Sequence, residues 1–394
     1  MDFASATPLS ENVFNTMQPY FKDLFYNPSA LYHASVQIRN DIEKARSEVA
    51  SLLGTQTNLI YFVDGATEAN NLAIIGCVRA WQKKHPKALP HLITTTIEHA
   101  SVLSVFKHLE STGEVEVDYL SVDEKGLANQ KELKAYLKKN TILVSVGCVN
   151  GEIGVIQDLK GIMKRIRHHR KHQQTMYPLV HSDAVQAVNY CAEITLNTLG
   201  IDMMVINAAK IYGPKKIAVL ALRSALDLEP LMYGGNQEKK LRSGTENTAA
   251  IMGMATALKE TRSLHISESH RLHQISSLFT ELLQKNFPEG VINSNPEGSP
   301  NIVNISFPLL SHEEIMLRLD AEGVMCSVKS ACKAGEEGDS HVIKALREHR
   351  EGPTGSLRFS FGRTTNKEQV LRVINILVPI ISEMKQSYET YYSK

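Results

Sequence analysis

Short apolar segments alternate with amphipathic helical patterns along the first half of the chain. The apolar runs lie at 59–63, 91–96, 142–148, 178–183 and 203–207, and helical patterns between them include 66–83, 101–110 and 159–172. Strands that alternate with helices form a mainly parallel sheet that is covered on both faces. We therefore predict an α/β fold whose ligand groups gather at the carboxyl ends of the strands.

The pattern changes after about residue 250. A long helical pattern near 248–285 is followed by apolar strands at 301–307, 325–328 and 357–361 and by helical patterns at 312–322, 340–348 and 366–390. This order predicts a second, smaller α+β domain. We expect the active site in the cleft between the two domains.

Lys210 lies between an apolar strand and a Gly-Pro turn. Partial burial disfavours the ammonium form of a lysine, so its amine can attack a carbonyl and form a Schiff base. Pyridoxal phosphate is the aldehyde that best fits this chemistry. Taken alone, the segment is equally typical of a lysine that extends its ammonium group to solvent at the end of a strand.

Asp183 ends another apolar strand, and Gln186 follows it by three positions. A pyridoxal ring needs an anion beside its protonated nitrogen, because that charge makes the ring an electron sink. Asp183 is predicted to supply the anion and Gln186 to bind the ring hydroxyl. A helix-capping Asp183 is the alternative.

A strand, a glycine turn and a helix start follow one another at Gly65, Ala66 and Thr67. The free N–H groups and the positive end of the helix dipole are suited to a phosphate, and the Thr67 hydroxyl adds a donor. The same pattern is also found in simple helix caps.

Motifs along almost the whole chain occur in the order typical of one enzyme family. Besides the Lys210 segment they lie at 2–8, 26–33, 65–71, 97–100, 149–154, 181–186, 234–238, 242–247, 330–335 and 357–363. In these segments the chain resembles the class V aminotransferases and, more narrowly, the cysteine desulfurases. The resemblance implies a pyridoxal-phosphate-dependent transferase of fold type I, like aspartate aminotransferase. It also implies a large domain at 12–255 and a small domain that combines 1–11 with 256–394.

The resemblance also implies roles for individual residues. His99 stacks on the cofactor ring and assists proton transfer, while Asn150 and Arg358 hold the substrate carboxylate. Thr67 binds the cofactor phosphate, and Thr245 reaches the phosphate of a neighbouring subunit, which implies a homodimer. The full set of predicted cofactor-binding residues is Ala66, Thr67, His99, Asn150, Asp183, Gln186, Asn207, Lys210 and Thr245.

Cys332 distinguishes a desulfurase from a transaminase. It lies among small, glycine and charged residues that are typical of a mobile loop. Lys329 and Lys333 favour its thiolate, and the acidic run at 336–339 opposes that effect. With Lys210 and His99 as the other catalytic residues, the expected reaction converts L-cysteine to L-alanine and leaves a persulfide on Cys332. A selenocysteine lyase, another class V enzyme or a weakly active sulfur-transfer scaffold are the alternatives.

The chain departs from the family pattern around the cofactor phosphate. Asn207 and Ala209 replace a hydroxyl residue and a histidine that usually contact the phosphate, and Asp64 replaces a serine. Lys216 stands in place of a customary glycine. Each lost donor is expected to weaken cofactor binding by about 1.5–3 kcal/mol unless a cation such as Lys216 compensates.

Composition limits the partners and the compartment. The 43 basic and 42 acidic side chains give no electrostatic reason to expect direct nucleic-acid or membrane binding. The five cysteines have no paired spacing that would indicate disulfides or a zinc site. We expect a cytoplasmic enzyme without a bound metal, which passes sulfur to an acceptor protein such as an iron–sulfur scaffold or a tRNA-thiolation carrier.

Overall fold

The computed structural model describes residues 1–192, 194–328, 340–349, 352–353 and 355–392. The strands are β1 Ile60–Val63, β2 His91–Thr95, β3 Glu116–Leu120, β4 Thr141–Ser145, β5 Leu179–Asp183, β6 Met203–Asn207, β7 Ala218–Leu222, β8 Val291–Ile292, β9 Ile302–Ser306 and β10 Leu357–Ser360. The helices are α1 Glu11–Met17, α2 Pro19–Lys22, α3 His33–Leu53, α4 Ala66–Lys84, α5 Ala100–Ser111, α6 Gln130–Tyr136, α7 Leu159–Gln173, α8 Leu196–Leu199, α9 Thr248–Asn286, α10 His312–Ala321, α11 His341–Arg347 and α12 Lys367–Tyr392.

The central sheet has seven strands in the order β1-β7-β6-β5-β4-β2-β3. The pairs from β3 to β6 are parallel, whereas β7 runs antiparallel to both β6 and β1. The mainly parallel sheet predicted from the sequence is therefore confirmed. The prediction omitted β3, which forms one edge of the sheet, and β7, which lies between β1 and β6.

Neighbouring residues of a strand pack into apolar clusters on opposite faces of this sheet. In β4, Val144 belongs to the cluster that also contains residues of α3, α7 and α9, while Leu143 belongs to the cluster built with α4 and α5. Both side chains are fully buried. The alternation follows from the two-residue period of a strand, and it produces the three-layer arrangement of helix, sheet and helix.

A second sheet of three antiparallel strands, β8, β9 and β10, packs with α10 and α12 around Phe279, Phe307 and Phe359. The strand predicted at 325–328 is wrong, because only Ser327 forms a bridge there, to Arg358. A single bridge of this kind still brings the backbone of Ser327 against β10.

The long helix α9 connects the two apolar cores. Its residues up to Leu258 pack in the core beneath the central sheet, and Leu272, Phe279 and Leu283 pack in the core of the small sheet. The predicted boundary between residues 255 and 256 falls inside this continuous helix. The division into two domains therefore stays a prediction.

Residues at the start of the chain join the two sheets. Asp2 forms a bridge with Ser360 at the end of β10, and the Thr7 N–H donates to the Ala209 carbonyl oxygen at 3.0 Å. The first residues consequently run across the space between the small sheet and the carboxyl ends of β5 and β6.

Candidate active site

A cavity of about 270 Å³ lies where the carboxyl ends of β1, β2, β4, β5 and β6 face β10 and the first residues of the chain. Most of the predicted site residues line it, although they come from distant parts of the sequence. These are Ala66, Thr67, His99, Asn150, Asp183, Gln186, Asn207, Lys210 and Arg358. The structure thus brings the predicted cofactor and substrate residues into one space.

The turn between β1 and α4 forms one wall of the cavity. Gly65 is the N-cap of α4 and has no side chain to cap the helix, so the first N–H groups of α4 face this region without a capping side chain. Ala66 and Thr67 line the cavity. Asp64, which replaces a serine of the family pattern, has its carboxylate paired with Arg242 at 2.8 Å.

The carboxylate of Asp183 is fixed by two donors. The Asn70 amide nitrogen donates to Asp183 Oδ2 at 2.8 Å, and the Val185 N–H donates to Oδ1 at 3.0 Å. Asn70 is fully buried on α4, and its amide also donates to the Ser101 hydroxyl at 2.8 Å. Sequence reasoning missed Asn70, although a polar residue on the buried face of an amphipathic helix was a signal for it.

The imidazole of His99 is held at the N-terminus of α5. Its Nδ1 accepts from the Ser101 N–H at 3.1 Å and lies 2.8 Å from the Ser101 hydroxyl. An accepting Nδ1 leaves the proton of the neutral ring on Nε2. Because Ser101 also contacts Asn70, His99 and Asp183 are joined by one hydrogen-bonded chain of side chains.

Lys210 ends a single 3₁₀ turn, Ala208–Lys210, that directly follows β6. Its side chain is half-buried, and Nζ donates to the backbone oxygen of Ser5. The Gln186 amide nitrogen donates to the Ala4 carbonyl oxygen at 2.9 Å, which leaves the Gln186 oxygen for a ligand. The first residues of the chain therefore contact two of the predicted cofactor-binding residues, Lys210 and Gln186.

Arg358 is 3% exposed and lies on β10 at the opposite wall of the cavity. Its Nη1 donates to the Gly151 carbonyl oxygen at 2.9 Å, and its Nη2 forms an ion pair with Asp2 at 2.8 Å. Its Nε is buried and has no hydrogen-bond partner among the described residues.

Asn150 lies near Arg358 on the loop after β4. One amide hydrogen of Asn150 is used by the Ile97 carbonyl oxygen at 2.9 Å, and its oxygen accepts from the Glu152 N–H at 2.9 Å. Its amide carries a second hydrogen, which the bond to Ile97 does not use.

Glu98 is a buried carboxyl group at the cavity that sequence reasoning did not assign. It accepts from the Gly147 N–H at 2.9 Å and from the Thr95 hydroxyl at 2.7 Å. Burial raises the pKa of Glu98 to about 7, and the two donors oppose that shift. His181, behind Asp183, shows the opposite effect, since burial lowers its pKa to about 4 and keeps the imidazole neutral.

Two predicted site residues are not among those that line the cavity. Thr245 is exposed and lies outside it, on the segment before α9. Cys332 lies outside the described residues, as do Lys329 and Lys333. The described residues on either side of that segment are at the site: the Ser327 hydroxyl lies 3.0 Å from Arg358 Nη2, and His341 lines the cavity.

The other cysteines have the character predicted for small core residues. Cys77, Cys148 and Cys326 are buried, and Cys191 is half-buried against the main core. Burial raises the pKa of Cys77 and of Cys326 to about 12, so neither thiol is readily ionised.

Comparison with known proteins assigns this site to a family. A sequence model of the family described as aminotransferase class-V matches residues 1–373. The chain belongs to the class V aminotransferase family. Enzymes of this family depend on pyridoxal phosphate, and the predicted family resemblance is confirmed.

Individual proteins within the family resemble this chain over most of its length. The chain is 36% identical over 386 residues to a cysteine desulfurase IscS of Dictyoglomus turgidum, and the match covers 98% of this chain and 95% of that protein. It resembles the structure of a NifS-like protein with a TM-score of 0.87 and 28% identity, covering 97% and 98% of the two chains. It also resembles a structure described as SspA in complex with cysteine, with a TM-score of 0.76, 30% identity and 91% and 97% coverage.

These likenesses confirm two predictions made from the sequence. The fold is that of the NifS-like class V enzymes, as fold type I implied, and the relatives carry the predicted name of cysteine desulfurase. Among the helices of the described residues, none has both the length and the apolar character that a membrane crossing requires.

Proposed function

We propose that this protein is a cysteine desulfurase. It uses pyridoxal 5'-phosphate to convert L-cysteine to L-alanine and transfers the sulfur, as a persulfide on Cys332, to an acceptor protein. The observation that carries the proposal is the cavity lined by Lys210 after β6, Asp183 at the end of β5 and Arg358 on β10, in a chain 36% identical to a cysteine desulfurase.

The residues of the cavity fit the cofactor in charge and in hydrogen bonding. The uncapped start of α4 and Thr67 suit the phosphate, and the fixed carboxylate of Asp183 suits a protonated ring nitrogen. Ala66, His99, Asn150, Gln186 and Asn207 would complete its contacts, and Lys210 would hold its aldehyde carbon. When bound, the cofactor supplies an electron-accepting ring that makes the Cα proton of an amino acid labile.

Arg358 and Asn150 would hold the substrate carboxylate. Arg358 and Asn150 both line the cavity, and the second amide hydrogen of Asn150 is a donor there. A carboxylate bound there directs the rest of a small amino acid towards Lys210. Because the guanidinium is already fixed by Gly151 and Asp2, little further ordering is required when the substrate binds.

Lys210 and His99 would transfer protons. The amine of Lys210 removes the proton from the substrate Cα once the substrate has taken its place at the cofactor. His99, with Nδ1 occupied by Ser101, presents its Nε2 as the nitrogen that exchanges a proton. The hydrogen bonds through Ser101 and Asn70 fix the position of the His99 ring relative to Asp183.

Cys332 would accept the sulfur. Its thiolate forms a sulfur–sulfur bond with the substrate as the carbon–sulfur bond breaks, and the substrate carbon takes up a proton to become the methyl group of alanine. No external oxidant is required, because the electron pair of the broken carbon–sulfur bond stays on the substrate carbon, which is reduced to a methyl group as the sulfur is oxidised to the level of a persulfide. Ser327 and His341 are described residues before and after this segment; Ser327 contacts Arg358 and His341 lines the cavity, which supports the assignment.

A homodimer is part of the proposal. Thr245 is exposed and outside its own cavity, which is the arrangement expected of a residue that reaches the phosphate in a partner subunit. Large apolar side chains are exposed near the start of the chain, with Phe21 66%, Phe25 67% and Leu31 90% exposed. A second copy would cover such a surface. The acceptor protein, an iron–sulfur scaffold or a tRNA-thiolation carrier, and the cytoplasmic location stay predictions.

A cysteine pulse followed by mass spectrometry tests the function. The wild type should release L-alanine and carry one additional sulfur on the peptide with Cys332, removable by a thiol reductant. Cys332→Ser should bind the cofactor as the wild type does but form no persulfide, and Cys326→Ser is the matched control that should retain activity. Full sulfide release by Cys332→Ser would indicate elimination, the chemistry of a lyase, and would contradict the proposal.

A further inference from the structure

The wall of the cavity that suits the phosphate has few donors among the described residues. The Asn207 side-chain oxygen accepts from the Ala209 N–H at 3.1 Å, so that N–H is already used. Ala209 has no polar side-chain atom. Beyond the start of α4 and Thr67, this wall needs a further group to balance a doubly charged anion.

Arg242, the partner of the cavity residue Asp64, is neutralised by its own ion pairs. Arg242 pairs with Asp64 at 2.8 Å and with Glu68 at 2.9 Å. The cluster of Asp64, Glu68 and Arg242 therefore carries a net negative charge, because two carboxylates share one guanidinium. Arg242 therefore cannot supply the missing positive charge to the cavity.

Lys216 is a cation at the same wall. It lines the cavity together with Ala209, Asn207 and Thr67. Its side chain is exposed, and in the part of the chain that the structure describes its ammonium group forms no ion pair or hydrogen bond. A mobile side chain with an uncompensated charge is available to a ligand.

The backbone holds Lys216 close to Ala209, the position that has no side-chain donor. Ile217, the next residue, is buried, and its carbonyl oxygen accepts from the Ala208 N–H at 3.2 Å. The adjoining strands continue the contact, since Ala218 pairs with Asn207. The loop that carries Lys216 is thereby fixed against the turn that ends in Lys210.

Lys216 adopts a backbone conformation that favours glycine. Its φ is 60°, in the left-handed region that side-chain-bearing residues enter at an energetic cost. Strained residues of this kind persist where the surrounding structure or the function requires them. A lysine here has no packing role that would account for the strain, because its side chain is exposed.

We propose that Lys216 binds the phosphate of the cofactor and replaces the donor that is absent at Ala209. The inference rests on the proposed function, because it requires that the cavity take pyridoxal phosphate. An ammonium group on a flexible stem is a compact charge that approaches a phosphate from several directions. Loss of one donor and gain of a cation at neighbouring positions would then leave affinity for the cofactor intact.

The test compares two probes on full-length protein from which cofactor has been removed. Pyridoxal 5'-phosphate and pyridoxal, which lacks the phosphate, are titrated by absorbance into the wild type and Lys216→Ala. The dissociation constant for pyridoxal phosphate should rise roughly tenfold in Lys216→Ala, and that for pyridoxal should stay unchanged. Lys215→Ala, which removes the same charge from the exposed neighbouring residue, should bind both probes as the wild type does.

Two further variants separate binding from folding. Lys216→Gly relieves the left-handed backbone, so its melting temperature without cofactor should be no lower than that of the wild type, while its affinity for pyridoxal phosphate should fall as in Lys216→Ala. Lys216→Arg should retain the affinity. If wild type and Lys216→Ala bind pyridoxal phosphate equally, the role of Lys216 is wrong and the proposed function stands; a wild type that binds neither probe overturns both.

Discussion

Asp2 and Arg358, separated by almost the whole chain, form an ion pair at the wall of the cavity. The Arg358 Nη2 lies 2.8 Å from Asp2 Oδ1, and the Ser327 hydroxyl donates to Asp2 Oδ2 at 3.0 Å. The guanidinium is almost completely buried, so its charge needs a partner within the protein. Asp2 supplies that partner and also fixes the orientation in which Arg358 faces the cavity.

Asp2→Asn should destabilise the protein. The substitution keeps an oxygen acceptor but removes the charge that balances Arg358, which should lower the free energy of unfolding by about 1–2 kcal/mol. Urea denaturation of the cofactor-free protein measures the change. Asp23→Asn removes an exposed charge from the same part of the chain and should leave the midpoint unchanged. Equal midpoints for the two variants would contradict the role of the ion pair.

The central strands were predictable because burial on both faces leaves a continuous apolar run. β4 and β6 have this character, and β2 and β5 share the burial but also carry polar residues such as His91 and His181. β3 is partly exposed and carries Glu116 and Asp118, so no apolar run marks it. β7 is wholly apolar, but no α-helix separates it from β6. It was missed because the prediction expected a helix between successive strands.

The chemistry of the site was predictable where one residue type indicates one role. Lys210, Asp183 and Arg358 are examples, since an amine, an anion and a guanidinium fork each perform a recognisable task. Their supports were not predictable, because Asp2 meets Arg358 and Asn70 meets Asp183 only after folding. No local pattern encodes contacts across such separations. The pairing of Asp64 with Arg242 is hidden from the sequence for the same reason.

Lys210→Ala should abolish the formation of L-alanine. Removal of the amine removes both the covalent attachment of the cofactor and the base, so the rate should fall by at least roughly 10²–10⁴-fold. Borohydride reduction followed by peptide mass spectrometry should locate the cofactor on Lys210 in the wild type and on no lysine in the variant. Lys215→Ala should behave as the wild type. A cofactor trapped on another lysine would mean that the assignment of Lys210 is wrong.

Ala209→His should tighten the binding of pyridoxal phosphate. The imidazole adds a donor at the half-buried position where the wild type has none, and one hydrogen bond to a charged group corresponds to roughly tenfold in the dissociation constant. Ala209→Leu adds bulk without a donor and should not tighten binding. The gain should be larger in a Lys216→Ala background, where the phosphate has lost its cation. Unchanged affinity in both backgrounds would show that this position does not face the phosphate.

Glu98 should make the stability of the cofactor-free protein depend on pH. Burial raises its pKa to about 7 in the folded state, whereas an unfolded chain has the ordinary value of 4.5. Between these values the folded state binds more protons than the unfolded state, so the free energy of unfolding falls as pH rises through this window. Above pH 7 the full penalty of the buried charge is present, and below pH 4.5 it is absent.

Glu98→Gln isolates this contribution, because subtracting the variant from the wild type cancels the titrating groups that do not interact with Glu98. Relative to the variant, the wild type should lose about 1.4 kcal/mol of unfolding free energy at most for each pH unit between 4.5 and 7. Urea denaturation at a series of pH values measures the difference. Glu297→Gln, at an exposed carboxylate, should show no such trend. A difference between wild type and Glu98→Gln that is constant from pH 4.5 to 8 would mean that Glu98 is ionised throughout that range.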